Sequence, residues 1–187
     1  MKYRENILKK NQILVVTSLL NKEYSSILID IQDPKTVSKI LSHLQQYQKK
    51  LVNHEFPMEV SEELDYLASL LLVLKVAGEN RNGACESKCK RLFPLKTLYE
   101  IYTKTESCYY LKRAIMNFIF DIHLDTEHDL DEGSEILVDL FHLIRQELND
   151  IIAQGWGYYT IKTHQGIIPV KKVQINFVLE GLLGNLV

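Results

Sequence analysis

Apolar residues along this chain recur at helical spacing, and short polar breaks divide them into segments. The clearest segment runs from Tyr110 to Glu127. There Tyr110, Leu111, Ala114, Ile115, Phe118, Ile119 and Ile122 form one wide stripe, and the phase puts Lys112, Arg113, Asn117 and Asp121 on the other side. Asp125-Thr126-Glu127 closes that helix. Upstream, a first helix is predicted from near Glu5 to Leu20 with Ile7, Ile13, Val16, Leu19 and Leu20 inward. Tyr24 to Ile31 is apolar and β-branched, readable as a strand or as a buried connector. Asp33-Pro34 supplies an N-cap and a first-turn proline for a second helix to about Leu51, its outer side marked by Gln45, Gln46, Gln48 and Lys49.

Phe56-Pro57 breaks the chain, and Ser61-Glu62-Glu63 sets a hydroxyl cap and two acids at the positive end of a third helix. Its inward stripe is Leu64, Leu67, Ala68, Leu71 and Leu72, with Gly78 as C-cap. Glu79 to Lys90 reads as a polar loop, and Pro94 opens a short helix through Leu95, Leu98 and Ile101. After the Tyr110 helix comes an acidic turn, Thr126 to Gly133. A helix to Gln154 follows, placing Leu137, Leu140, Phe141, Ile144, Leu148, Ile151 and Ile152 on one face. Gly155 to Gly166, with its aromatics and flanking glycines, fits a loop or a small hairpin; Pro169 opens a last helix from about Val170 to Leu183.

Six or seven amphipathic helices on short loops predict an all-α fold, an antiparallel stack. No repeat of fixed period stands out, so pattern alone does not specify a solenoid. The expected division is a helical domain over residues 1–154, the loop or hairpin over 155–168, and the start of a further helix over 169–187. That last helix carries Ile175, Phe177, Val178, Leu182 and Leu183 with no partner after it, so the chain is expected to belong to a longer stack.

Composition narrows the class. With 46% hydrophobic residues the 187-residue chain can bury a core, and a net charge of -2 gives no basis for non-specific binding to nucleic acid or acidic membrane. Three cysteines, Cys85, Cys89 and Cys108, cannot all pair within the chain, and the polar start favours a reduced, cytosolic setting. The longest apolar run, Leu67 to Leu74, ends at Lys75, far short of the roughly 20 residues of a membrane span.

Candidate chemistry is thin. His123-Leu124-Asp125-Thr126-Glu127-His128 holds metal-binding residue types, but His123 and Glu127 are one residue too far apart for an inverted zinc-protease signature. Helix capping by Asp125 and Thr126 accounts for the cluster. The acidic run Asp125, Glu127, Asp129, Asp131, Glu132 and Glu135 fails as a calcium loop, because counting back from Gly133 puts His128 in the first ligand position. Cys85 and Cys89 are two thiols where a structural zinc site needs four ligands, and they read as reduced loop thiols open to oxidation. Trp156, Tyr158 and Tyr159 beside Lys162 read as the cover of a core end. No phosphate loop, Ser–His–Asp arrangement or nucleophile elbow is written in the sequence. The expectation is therefore no catalytic residue, no metal ligand and no cofactor.

Several landmarks occur together in order: Lys9-Lys10-x-Gln12, Gly78-Glu79-Asn80-Arg81-Asn82, Leu92-Phe93-Pro94-Leu95, Ala114-Ile115-Met116-Asn117-Phe118 and Leu124-Asp125-Thr126-Glu127. Across roughly Glu5 to Ile152 they resemble the cytosolic helical segments of inositol trisphosphate receptors, the calcium-release channels related to ryanodine receptors. The resemblance implies an armadillo-like helical solenoid on the cytosolic face of the endoplasmic reticulum or a related calcium store. The implied partners are the rest of the channel chain, within a homotetramer; no nucleic acid, membrane span or small-molecule ligand is implied for this segment. Its implied role is to pass ligand-induced movement toward the pore. No ligand-binding pocket, calcium-sensing carboxylate or pore filter of that family carries over, and the stretch from Gly155 to Gly166 departs from it. Two other readings compete: a free-standing helical adaptor, and a small metal enzyme using His123, Asp125 and His128.

Overall fold

The computed structural model describes residues 2–19, 29–53, 58–78, 82–105, 108–125, 134–154, 160–163 and 166–169. The fold is all-α: helices α1 (Lys2–Leu19), α2 (Pro34–Val52), α3 (Glu62–Gly78), α4 (Gly83–Leu92), α5 (Leu95–Lys104), α6 (Tyr109–Phe118) and α7 (Ser134–Gln154), with a π-helical segment, Ile119–Leu124, continuing α6. A minor sheet accompanies them. In it β1 (Met58–Glu59) pairs parallel with β2 (Thr160–Thr163), which pairs antiparallel with β3 (Gly166–Pro169). The stretch from Gly155 to Gly166, which fits a loop or a small hairpin, holds β2 and the first residue of β3, and Pro169, expected to open a last helix, ends β3. The pairing of β2 with β1, which lies against α2, could not be read from a two-residue strand.

Local chemistry explains the helix starts. Asp33 caps α2 by accepting from Lys35 N and Thr36 N, with Pro34 in the first turn. Ser61 caps α3, its hydroxyl accepting from Leu64 N at 3.4 Å, and Glu62, Glu63 and Asp65 complement the helix dipole.

α3 is the hub, touched by α1, α2, α4, α6 and the π segment. Its buried residues, Leu64, Asp65, Leu67, Ala68, Leu70, Leu71, Leu74, Ala77 and Gly78, cover most of its circumference, as expected of a helix apolar nearly all round. α6 packs along it through Leu111, Ala114, Ile115 and Phe118, all fully buried. Each such large side chain contributes about 1.5–3 kcal/mol of burial.

Several sequence expectations need correction. Gly78 is the last residue of α3, and the reason for glycine there is closeness: a Cβ would run into the Ile122 side chain. Residues 83–90 are helical, not a loop, because Cys85 and Cys89, one turn apart, reach the core and tie α4 down. The Tyr110 helix does not stay α to its end; from Ile119 the backbone widens, closing with Asp125 N donating to Phe120 O at 2.8 Å. Lys112 and Asn117, phased outward, are buried because α6 is enclosed on both sides. Ile7 and Phe141, phased inward, are exposed: among the described residues α1 packs on α3 and α4 and α7 on α5, and these two positions lie away from that packing. Leu20, most of the Tyr24–Ile31 stretch and the predicted helix after Pro169 lie outside the described residues, while the side chains of Ile151 and Ile152 are not described.

Candidate functional site

Four clusters with polar groups interrupt the apolar packing, each where helices meet. At the first, Asn82, between α3 and α4, donates from Nδ2 to Gln12 Oε1 at 3.0 Å and to Lys9 O at 3.1 Å. Gln12 in turn donates from Nε2 to Val76 O at 3.2 Å. Both amides are buried, so each bond satisfies a group that would otherwise cost about 1–3 kcal/mol. The network ties α1 to the C-terminal end of α3. Sequence reading missed it, since a buried glutamine has no periodicity of its own.

The second junction joins α4, α6 and the π segment. Phe93 and Phe118 meet edge to face, with ring centroids 5.5 Å apart, and His123 lies 6.0 Å from Phe118. His123 donates from Nε2 to Phe93 O at 3.0 Å, which requires the proton on that nitrogen. Burial lowers its pKa to about 4, with Lys90 adding to the shift and the Phe93 carbonyl opposing it. The ring is a neutral structural donor.

At the third, Lys112 pairs with Glu147, and Tyr102 donates its hydroxyl to the other Glu147 oxygen at 2.9 Å. The Lys112 ammonium also lies 5.2 Å from the Tyr102 ring centroid and 5.8 Å from that of Tyr109. Burial, and then the Glu147 charge, push the Tyr102 pKa up, so it stays a donor. This pair fastens α7 to α5 and α6.

The fourth cluster lines a groove of about 200 Å³ formed by His43, Gln46, Tyr47, Lys50, Val60, Ser61 and Glu62. Ser61, His43 and Glu63 are the residue types of a nucleophile, base and acid, though no sequence motif joins them. Yet Ser61 Oγ and Glu63 Oε2 both approach the same ring nitrogen, His43 Nδ1, at 3.1 and 3.4 Å. A proton relay needs serine and acid on opposite nitrogens. Glu63 is also held by Lys39 at 2.7 Å, a bond that lowers its pKa, and Ser61 is committed to the α3 cap. The arrangement caps a helix.

The sequence candidates are scattered. His123 is buried at the second junction, Asp125 is exposed at the end of the π segment, and Glu135 is exposed on α7. Thr126, Glu127, His128, Asp129, Asp131, Glu132 and Gly133 lie outside the described residues, as do Trp156, Tyr158 and Tyr159; Lys162 is in β2. Among the described residues no three of His, Cys, Asp and Glu gather in a way that could hold a metal ion. Cys85, Cys89 and Cys108 form no disulfide and are buried; Cys85 and Cys89, expected as loop thiols, lie in α4. Burial raises the Cys85 pKa and pushes Cys89 up to about 12 and Cys108 to about 11, which suppresses the reactive thiolate. Among the described residues no helix is long and apolar enough to cross a membrane. No protein-family model and no solved structure matches the chain.

Proposed function

We propose that this chain is a non-catalytic helical relay segment of an intracellular ligand-gated calcium-release channel of the inositol trisphosphate receptor type. In this reading it is part of an armadillo-like stack on the cytosolic side of a calcium-store membrane, in a homotetramer, and transmits ligand-induced movement toward the pore. The observation that carries the reading is where the sequence landmarks fall. Gln12 and Asn82, from separate landmarks, bond each other; Gly78 takes the close approach of Ile122; Phe93 and Phe118, from two more, meet edge to face. Residues from four of the five landmarks that carry the resemblance thus lie at contacts between helices, which is what a mechanical relay has to preserve.

A relay of this kind needs no bound ligand of its own. Calorimetry on the purified chain is expected to detect no tight binding of inositol trisphosphate or calcium; stoichiometric, sub-micromolar binding of either overturns the reading. The parent chain is tested by immunoblot of source-cell membranes and cytosol with an antibody to this segment. A very large membrane-associated band supports the channel. A soluble band near 21.7 kDa favours the second reading, a free-standing helical adaptor, which the exposed apolar positions on α1 and α7 also support.

A further inference from the structure

Nothing in the local sequence makes the end of α6 leave the α form. Ile119-Phe120-Asp121-Ile122-His123-Leu124 contains neither proline nor glycine, and Ile119 and Ile122 continue the apolar stripe of α6 at ordinary α spacing. The entry is α as well: Phe118 has φ -66° and ψ -45°, and Ile119 has φ -59° and ψ -44°. Past that entry the ladder widens, ending in the bond from Asp125 N to Phe120 O, five residues back.

Three consecutive side chains hold the wide form from outside. Asp121 Oδ2 meets Lys75 Nζ at 3.3 Å, Ile122 lies on Gly78 where a Cβ would collide with it, and His123 donates to Phe93 O at 3.0 Å. Lys75 and Gly78 belong to the last turn of α3, and Phe93 directly follows α4. An α-helical continuation from the buried Phe118 would carry these side chains progressively further round the axis. The difference reaches about one residue, or about 100°, by Asp125 and takes His123 off the Phe93 carbonyl. The sequence of the segment therefore favours one form and its neighbours impose the other. The two differ by a discrete step, since a backbone amide bonds either four or five residues back.

From this conflict we infer that residues 119–125 are a register switch. The last turn of α3 and the end of α4 set whether the end of α6 is π or α, and conversion turns the chain beyond Asp125 by about 100° and advances it by about 1.5 Å. α1 reaches the same place, because Gln12 bonds Val76 O of α3 and Asn82 at the start of α4. Movement where α1, α3 and α4 meet thus becomes a stepwise rotation at the far end of α6. The switch is a property of this chain alone and stands whether or not the chain is part of a channel.

Backbone NMR of the whole chain tests it. In the wild type, Overhauser contacts from Hα to the amide five residues on are expected across 119–125. Relaxation dispersion on the μs–ms scale is expected in the same segment, from a minor state populated at about 0.1–10%. Lys75→Met with His123→Phe removes two of the three holds and keeps the bulk. There the contacts are expected to move to four residues on, with the α form the major one and the amide shifts of α2 unchanged. Circular dichroism verifies folding. If the double variant does not fold, Lys75→Met alone, at a partly exposed pair, decides by raising the minor population several-fold. A folded double variant that keeps the five-residue contacts overturns the switch. So does a Lys75→Met chain with an unchanged minor population, or a wild type with no dispersion in 119–125.

Discussion

α6 and α7 look alike in sequence, both amphipathic with an apolar stripe and scattered charges, yet they end in opposite circumstances. In α6 the apolar Leu111, Ala114, Ile115 and Phe118 are fully buried, and even the polar Lys112 and Asn117 are enclosed. In α7, among the described side chains, only Leu137 and Leu140 are buried, while Phe141 and Val138 stand in solvent. The difference lies in neighbours. α6 is held between α3 and α5, whereas α7 leans on α5 and is fastened through the Lys112–Glu147 ion pair. A stripe therefore says that a helix can bury a face, and the number of helices around it decides how much it does bury.

The sharpest way to break this comparison is to truncate the two phenylalanines. Phe118→Ala is expected to destabilise the fold by about 3–5 kcal/mol, read as a lowered urea midpoint, because Phe93 and His123 lose the ring they pack on. Equal effects from Phe118→Ala and the much milder Phe141→Ala would erase the distinction between the two helices.

Next in size is the fastening of α7. Glu147→Ala leaves the Lys112 ammonium buried without its carboxylate and is expected to cost about 3 kcal/mol. Replacing the pair together, Lys112→Met with Glu147→Leu, is expected to recover most of that loss. A single Glu147→Ala change without effect would mean that packing on α5 alone holds α7.

A third contrast uses acid. His123 in the unfolded chain takes a proton near pH 6.5, and in the folded chain only near pH 4, so the unfolded state binds more protons between those values. Stability from this group is whole above pH 6.5 and is lost as the pH falls to 4, by about 3 kcal/mol in all at about 1.4 kcal/mol per unit. Urea midpoints from pH 7 to pH 4 are expected to fall more steeply for the wild type than for His123→Gln, which keeps an N–H but cannot titrate. Parallel slopes would show that another group governs the acid response.

The smallest effect belongs to the outward side of α7. Phe141→Ala is expected to move stability by no more than about 0.5 kcal/mol, since the ring is half exposed. A loss approaching that of Phe118→Ala would place Phe141 in the core after all.

Much of the fold could be read from the sequence because its signals are local. Asp33-Pro34 and Ser61-Glu62-Glu63 announced α2 and α3, since a cap needs only its own helix end. Leu64, Leu67, Ala68 and Leu71 announced the inward side of α3, since apolar spacing is a property of one helix. Less was legible of the clusters. The bonds between Gln12 and Asn82 and between His43 and Ser61 join residues far apart in sequence, and neither pair forms a motif. The apolar spacing of the Tyr110 helix phases Lys112 outward, and its burial is made tolerable by a partner far along the chain, Glu147.

By itself the sequence determined that this protein is helical, where most helices begin, and which residues are available for a core. Tertiary structure decided that α3 sits at the centre and that residues 83–90 become a helix. It also decided that Gly78 is needed for the approach of Ile122, and that apolar residues of α1 and α7 remain facing outward. The reason is the range of the forces. Caps and periodicity act within a turn or two of backbone, whereas burial is a property of what else is packed against the helix, and several faces compete for each neighbour.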